Sequence, residues 1–101
     1  MYPFLKLNVQ NKWISFEPLL GNINIEGLTK KQCQWAVIGC ESGNKRRECK
    51  LEWIENLVLQ LKKAKIPVWV KQISIDGKVI DDINQFPEYL RIREFPVNKT
   101  L

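Results

Sequence analysis

Trp35-Ala36-Val37-Ile38-Gly39-Cys40, then Leu51 through Lys65, then Val68-Trp69-Val70-Lys71-Gln72-Ile73, is the stretch whose reading decides the fold. The first block is an almost unbroken apolar run, the pattern of a parallel strand covered on both faces. Glu41-Ser42-Gly43-Asn44 ends it with turn chemistry. In the second block Leu51, Ile54, Leu57, Val58, Leu61 and Ala64 recur at the helical period. Glu52 and Glu55 stand early in it and Lys62, Lys63 and Lys65 late, so the charges complement the helix dipole. Pro67 enforces a stop before the third block, which is a second strand. Strand, helix, strand is a βαβ unit, and such units build parallel sheets.

Outward from this unit the elements are shorter. Trp13-Ile14-Ser15-Phe16 is aromatic and β-branched, a strand that stops at Glu17-Pro18 because proline cannot continue a ladder. A turn region bounded by Gly21 and Gly27 follows, with Ile23 and Ile25 as apolar anchors. Asp76-Gly77 between Ile73-Ser74-Ile75 and Lys78-Val79-Ile80 predicts a tight hairpin. Phe86-Pro87 through Phe95-Pro96 is a proline-punctuated closing segment. The expectation is a single α/β domain over residues 1–101, with about three mainly parallel strands, one long amphipathic helix and a small C-terminal hairpin. A parallel sheet needs cover on both faces, and only one long amphipathic helix is available. The chain therefore reads as a sector of a larger fold, or as one that self-associates through an uncovered face.

Composition narrows the function classes. The chain has no histidine, which excludes Ser-His-Asp and Cys-His hydrolases and a Cys/His zinc site built from these residues alone. Its three cysteines, Cys33, Cys40 and Cys49, are an odd set with no CxxC, which argues against a disulfide-stapled secreted fold and against a metal site. Met1-Tyr2-Pro3-Phe4-Leu5 lacks a basic leader, and no apolar run approaches the ~20 residues that span a bilayer. A cytoplasmic protein without membrane contact is expected, with reduced thiols and Cys40 in the core. The net charge of +5 favours anionic partners, but no basic stripe has the spacing of a groove-reading helix. Lys45-Arg46-Arg47 before the helix reads as a solvated loop; the competing reading is a phosphate contact. A small basic module contacting nucleic acid or a protein partner is the alternative function.

Ligands of parallel α/β sheets sit at the carboxyl ends of the strands. Glu17, Glu41-Ser42-Gly43 and Lys71-Gln72 occupy those ends and are expected on one rim. The plain alternative has Glu17 and Glu41 capping nearby backbone N–H groups, with Lys71 in an ion pair.

Ser15-Phe16-Glu17-Pro18-Leu19-Leu20-Gly21, Trp35-Ala36-Val37-Ile38-Gly39 with Glu41-Ser42-Gly43, and Pro67-Val68-Trp69-Val70-Lys71-Gln72 together resemble the C-terminal half of a phage-associated family whose members are similar to radical-SAM enzymes. Asp76-Gly77-Lys78 and Phe86-Pro87 are similar to its closing segment. The resemblance implies a partial (β/α) barrel that uses S-adenosylmethionine and a [4Fe–4S] cluster held by an N-terminal CxxxCxxC. That motif does not occur in this sequence. What carries over is a cofactor- or substrate-facing set of Glu17, Glu41, Ser42, Gly43, Lys71 and Gln72, with catalytic residues unknown and no metal ligand. The resemblance thus implies a fragment that is inactive alone, completed in trans by an N-terminal barrel half. Cys40 departs from the family, which usually has a second glycine there, and Lys45-Arg46-Arg47-Glu48-Cys49 is more charged than its counterpart.

Overall fold

In the computed structural model, which describes residues 13–29, 31–41 and 47–96, the apolar run at Trp35 is the middle strand of a parallel sheet. The elements in chain order are β1 (Trp13–Phe16), β2 (Trp35–Ile38), α1 (Leu51–Lys63), β3 (Val68–Val70), β4 (Ile73–Ile75) and β5 (Lys78–Ile80), followed by two short 3-10 turns. The strand order is β1-β2-β3, with Trp13 opposite Trp35 and Val37 opposite Trp69. β4 and β5 pair antiparallel as a separate hairpin. The chain is thus a mixed α/β fold of three parallel strands, one long helix and a hairpin.

Alternation within the strands makes the two faces of the sheet different. Ile14, Phe16, Ala36, Ile38, Val68 and Val70 are buried and form one core with Ile54, Leu57, Val58 and Leu61 of α1. On the opposite face Trp13 contacts Trp35, Trp35 contacts Trp69 and Trp69 contacts Phe95, at centroid separations of 5.8, 6.4 and 5.1 Å. Trp13 and Phe95 are exposed. One face is thus helix-covered, and the other carries an aromatic ladder.

α1 ends two residues before the Lys65 expected from periodicity. Lys65 sits at φ 61, in the left-handed region. Its N–H reaches Lys62 O at 2.9 Å, and the Ile66 N–H reaches Leu61 O at 3.0 Å. These bonds form a Schellman closure, with buried Ile66 supplying the apolar contact. The hairpin turn is likewise set by backbone chemistry: Asp76 and Gly77 both have positive φ, as a type I′ turn requires.

The closing segment does more than punctuate. Val70 N–H donates to Ile92 O at 2.9 Å and Glu94 N–H to Val68 O at 2.8 Å, so residues 92–94 run antiparallel along the free edge of β3. Trp35 Nε1 donates to Glu94 O at 2.7 Å and fastens the same segment from the aromatic face. No helix among the described residues is long and apolar enough to cross a membrane.

Candidate functional site

Each parallel strand hands its chain to the rim at its carboxyl end. β1 delivers Glu17, β2 delivers Gly39, and β3 delivers Lys71 and Gln72. Lys71 N–H donates to Ile38 O at 2.8 Å, Gly39 N–H to Phe16 O at 3.2 Å and Leu19 N–H to Gly39 O at 2.9 Å. The ladder therefore continues into the rim and holds the three ends together.

Gly39 is the low point between them. A methyl group built there would stand 2.9 Å from Gln72 Oε1 and 3.3 Å from both Cγ and Cδ of Glu17. Two long polar side chains from different strand ends thus fold closely over one glycine. Gln72 Oε1 is buried and has no hydrogen-bond partner among the described residues. Such an acceptor costs free energy unless a donor reaches it. Glu17 in turn accepts from Lys71 Nζ at 2.8 Å and from Ser15 Oγ at 3.2 Å. Its side chain is 28% exposed and that of Lys71 52%, so the pair opens to solvent.

Arg93 supports this rim from below. Its guanidinium donates to Val70 O and Lys71 O at 3.0 Å and to Asp81 O at 2.7 Å, and it lies over the rings of Trp69 and Phe86. One planar fork therefore ties the end of β3 to the chain after the hairpin.

The expected rim residues divide accordingly. Glu17, Lys71 and Gln72 come together around Gly39. Glu41 is engaged elsewhere: its carboxylate accepts from Arg47 N–H at 2.7 Å, Nε at 3.0 Å and Nη2 at 2.9 Å. The side-chain and backbone bonds from Arg47 hold the Glu41 carboxyl down to about 2. Ser42, Gly43, Lys45 and Arg46 lie outside the described residues. Sequence reasoning did not single out Gly39 or Arg93. A glycine closing an apolar strand was the available sign of a close approach at Gly39; nothing local marked Arg93, whose partners are remote in sequence.

Among the described residues no group of three Cys, Asp or Glu side chains is placed to hold a metal ion. Cys33, Cys40 and Cys49 are buried free thiols. Cys33 donates to Trp35 O at 3.2 Å, and burial pushes its thiol up.

What the rim can do chemically follows from its groups. It offers an uncommitted carbonyl acceptor beside an ion-paired carboxylate and ammonium, packed over a glycine. That set suits a small ligand bearing both a cationic donor and an anion. Hydrogen bonds and charge from these groups can bind and orient such a ligand.

Neither the curated proteins nor the solved structures contain a match to this chain. The model of a family described as "Protein of unknown function (DUF5131)" matches residues 2–84, a span that holds every rim residue named above, and the chain belongs to that family.

Proposed function

We propose that this chain is the C-terminal sector of a phage-type, radical-SAM-like enzyme, that it supplies part of a ligand-binding rim, and that it is not catalytically complete by itself. The observation that carries the reading is the cluster over Gly39, where Glu17 from the end of β1 meets Lys71 and the unpartnered Gln72 Oε1 from the end of β3. Ligands of (β/α) architectures bind at that end of the sheet. The sheet itself supports the sector reading. Its β3 edge is closed by residues 92–94, so further parallel strands have only the β1 side on which to add.

The two cofactors implied by the resemblance fare differently here. A [4Fe–4S] cluster does not fit the described residues: the three cysteines are buried and none shares a ligand group. No step is assigned to it in this chain. The amino-acid end of S-adenosylmethionine does fit. Gln72 Oε1 and the Glu17 carboxylate would accept from its ammonium, and Lys71 would pair with its carboxylate. When bound and reductively cleaved, the cofactor supplies a carbon radical. The residues of this chain bind and orient it, and the cluster-bearing half lies in another polypeptide segment.

The test is a titration of S-adenosylmethionine into isotope-labelled chain, followed by backbone NMR. Shifts centred on Gly39, Lys71 and Gln72 are expected; unmoved spectra at millimolar cofactor would contradict the proposal. In parallel, iron and sulfide reconstitution of the chain alone should give no stoichiometric cluster absorbance, and a full [4Fe–4S] spectrum would overturn the assignment of the cluster to another segment.

A further inference from the structure

The two cysteines beside the β2–α1 connection are not used by the rim. Cys40 stands two residues beyond the end of β2 and Cys49 two residues before the start of α1, both with 3% of their surface exposed. Several independent contacts bring them to one place. Cys40 Sγ lies 3.8 Å from Gln72 O, at the start of the hairpin. Cys49 lines a cleft of about 730 Å³ together with Ser74 of that same hairpin, and with Arg47 and Asp76. The neighbours of the two cysteines, Glu41 and Arg47, are clamped by the carboxylate bonds described above, including one to the Arg47 backbone N–H at 2.7 Å. Both thiols belong to the same buried cluster and interact side chain to side chain.

We propose that Cys40 and Cys49 are a redox-modification site: a hydroperoxide entering through the cleft converts them to an intrachain disulfide that ties the end of β2 to the start of α1. The inference does not depend on the ligand or the reaction proposed for the rim.

Cys49 is the attacking thiol, because it is the one of the two that lines the cleft. Cys40, whose thiol donates to Gln72 O and which is not among the cleft's lining residues, follows. The Cys49 thiolate attacks one oxygen of the hydroperoxide, the O–O bond breaks, and the departing alkoxide takes the thiol proton to leave as an alcohol (water, for hydrogen peroxide). Cys49 becomes a sulfenic acid. Cys40 sulfur then attacks the Cys49 sulfur, hydroxide leaves with the Cys40 proton as water, and the S–S bond forms. Two thiols lose two electrons, the peroxide gains them, and an external thiol reverses the step by exchange. Disulfides of reducing compartments are mostly of this transient kind.

Cys33 is the internal control. It precedes β2 whereas Cys40 follows it, which separates the two by roughly 20 Å of extended chain. It is wholly buried and its thiol is pushed up by burial, so it stays reduced.

The test uses the intact chain. Hydrogen peroxide is added in modest excess, the protein is denatured, and free thiols are titrated. The titre should fall from the three of the reduced protein to a third of that value, and dithiothreitol should restore it. Trypsin cuts after Lys45, Arg46 and Arg47, so mapping should find residues 32–45 joined to residues 48–50 by a disulfide, with fragment ions placing the alkylated thiol at Cys33. In a Cys40→Ala variant, dimedone should trap the sulfenic acid on Cys49. An unchanged titre, thiol loss without the cross-linked peptide, a bond that includes Cys33, or a bond between two chains on a non-reducing gel would overturn the proposal. The mapping on unmutated protein decides the matter if the variant fails to fold.

Discussion

Lys71 Nζ donates to Glu17 Oε2 at 2.8 Å, so residues 54 apart in sequence join the carboxyl ends of the two outer parallel strands above Gly39 of the middle one. An ion pair as open to solvent as this contributes only ~0–1 kcal/mol to folding. Its position over Gly39, beside an unpartnered buried carbonyl, is what the proposed ligand role rests on.

Gly39→Ala separates those two roles. The added methyl group meets Gln72 Oε1 at 2.9 Å, but that atom is the far end of a side chain that can turn aside, as can Glu17. Gly39 does not have positive φ, so backbone strain adds nothing. The variant is expected to fold with a loss of less than ~1 kcal/mol, the size of a surface adjustment. Denaturant unfolding of the variant beside the parent measures it; a loss of several kcal/mol would mean that Gln72 and Glu17 pack rigidly over Gly39.

Arg93→Lys tests the fork beneath the rim. Lysine keeps the charge but cannot donate in one plane to Val70 O, Lys71 O and Asp81 O while lying over Trp69 and Phe86. Hydrogen bonds from a charged group are worth ~1.5–3 kcal/mol each when their acceptors are left without partners. A loss within or above that range is expected by thermal or denaturant unfolding, together with faster amide exchange at Val70 and Glu94. Stability equal to the parent would remove Arg93 from its supporting role.

Glu41 supplies a pH prediction. Its folded-state pKa of about 2 lies below the ordinary 4.5, because Arg47 donates to the carboxylate from side chain and backbone. A depressed carboxyl stabilises the fold above the unfolded value and loses that contribution as pH falls through the folded one. The clamp should therefore persist at pH 4 and release toward pH 2. Carbon-detected NMR titration of the Glu41 carboxyl should give a midpoint near 2, and Arg47→Ala should return it toward 4.5. An ordinary midpoint in the parent protein would contradict the clamp.

Leu57→Ala probes the covered face of the sheet. Leu57 is fully buried on α1, the one long helix among the described residues that packs on this sheet. Truncating such a leucine costs ~2–5 kcal/mol, which is a large share of the stability of a domain this size. Loss of the cooperative unfolding transition, or a fall in its midpoint of that order, is expected; an unchanged midpoint would mean that the helix is not the cover of the core.

Much of this arrangement was legible in the residues themselves. The apolar run at Trp35, the apolar face of α1 and the Asp76-Gly77 turn each carry their own local physics, and each is present. β2 nevertheless stops at Ile38 rather than Cys40, only alternate residues of it are fully buried, and the run Val68 to Ile73 divides between β3 and β4. The helix end was misjudged by two residues because Lys65 takes a left-handed conformation that nothing in a lysine announces. The pairing of residues 92–94 with β3 was hidden for a different reason. Arg93 and Glu94 do not alternate like strand residues, and two prolines mark the surrounding segment as irregular.

The rim shows the same division. Topology alone places Glu17 and Lys71 at the same end of the parallel sheet, and they meet across the middle strand. Which partner Glu41 would choose depends on the path of the connection to Arg47, which no periodicity encodes. The nearness of Cys40 and Cys49 is equally a product of that path, since their spacing matches no motif.

The most direct measurement is a paired titration of S-adenosylmethionine into the parent chain and into Gly39→Ala, after unfolding curves have shown both to be folded. Saturable binding by the parent that is lost or weakened at least tenfold in the variant is the predicted result. Equal binding by the two proteins, or none by the parent, would contradict the assignment of the cluster over Gly39 as the ligand site.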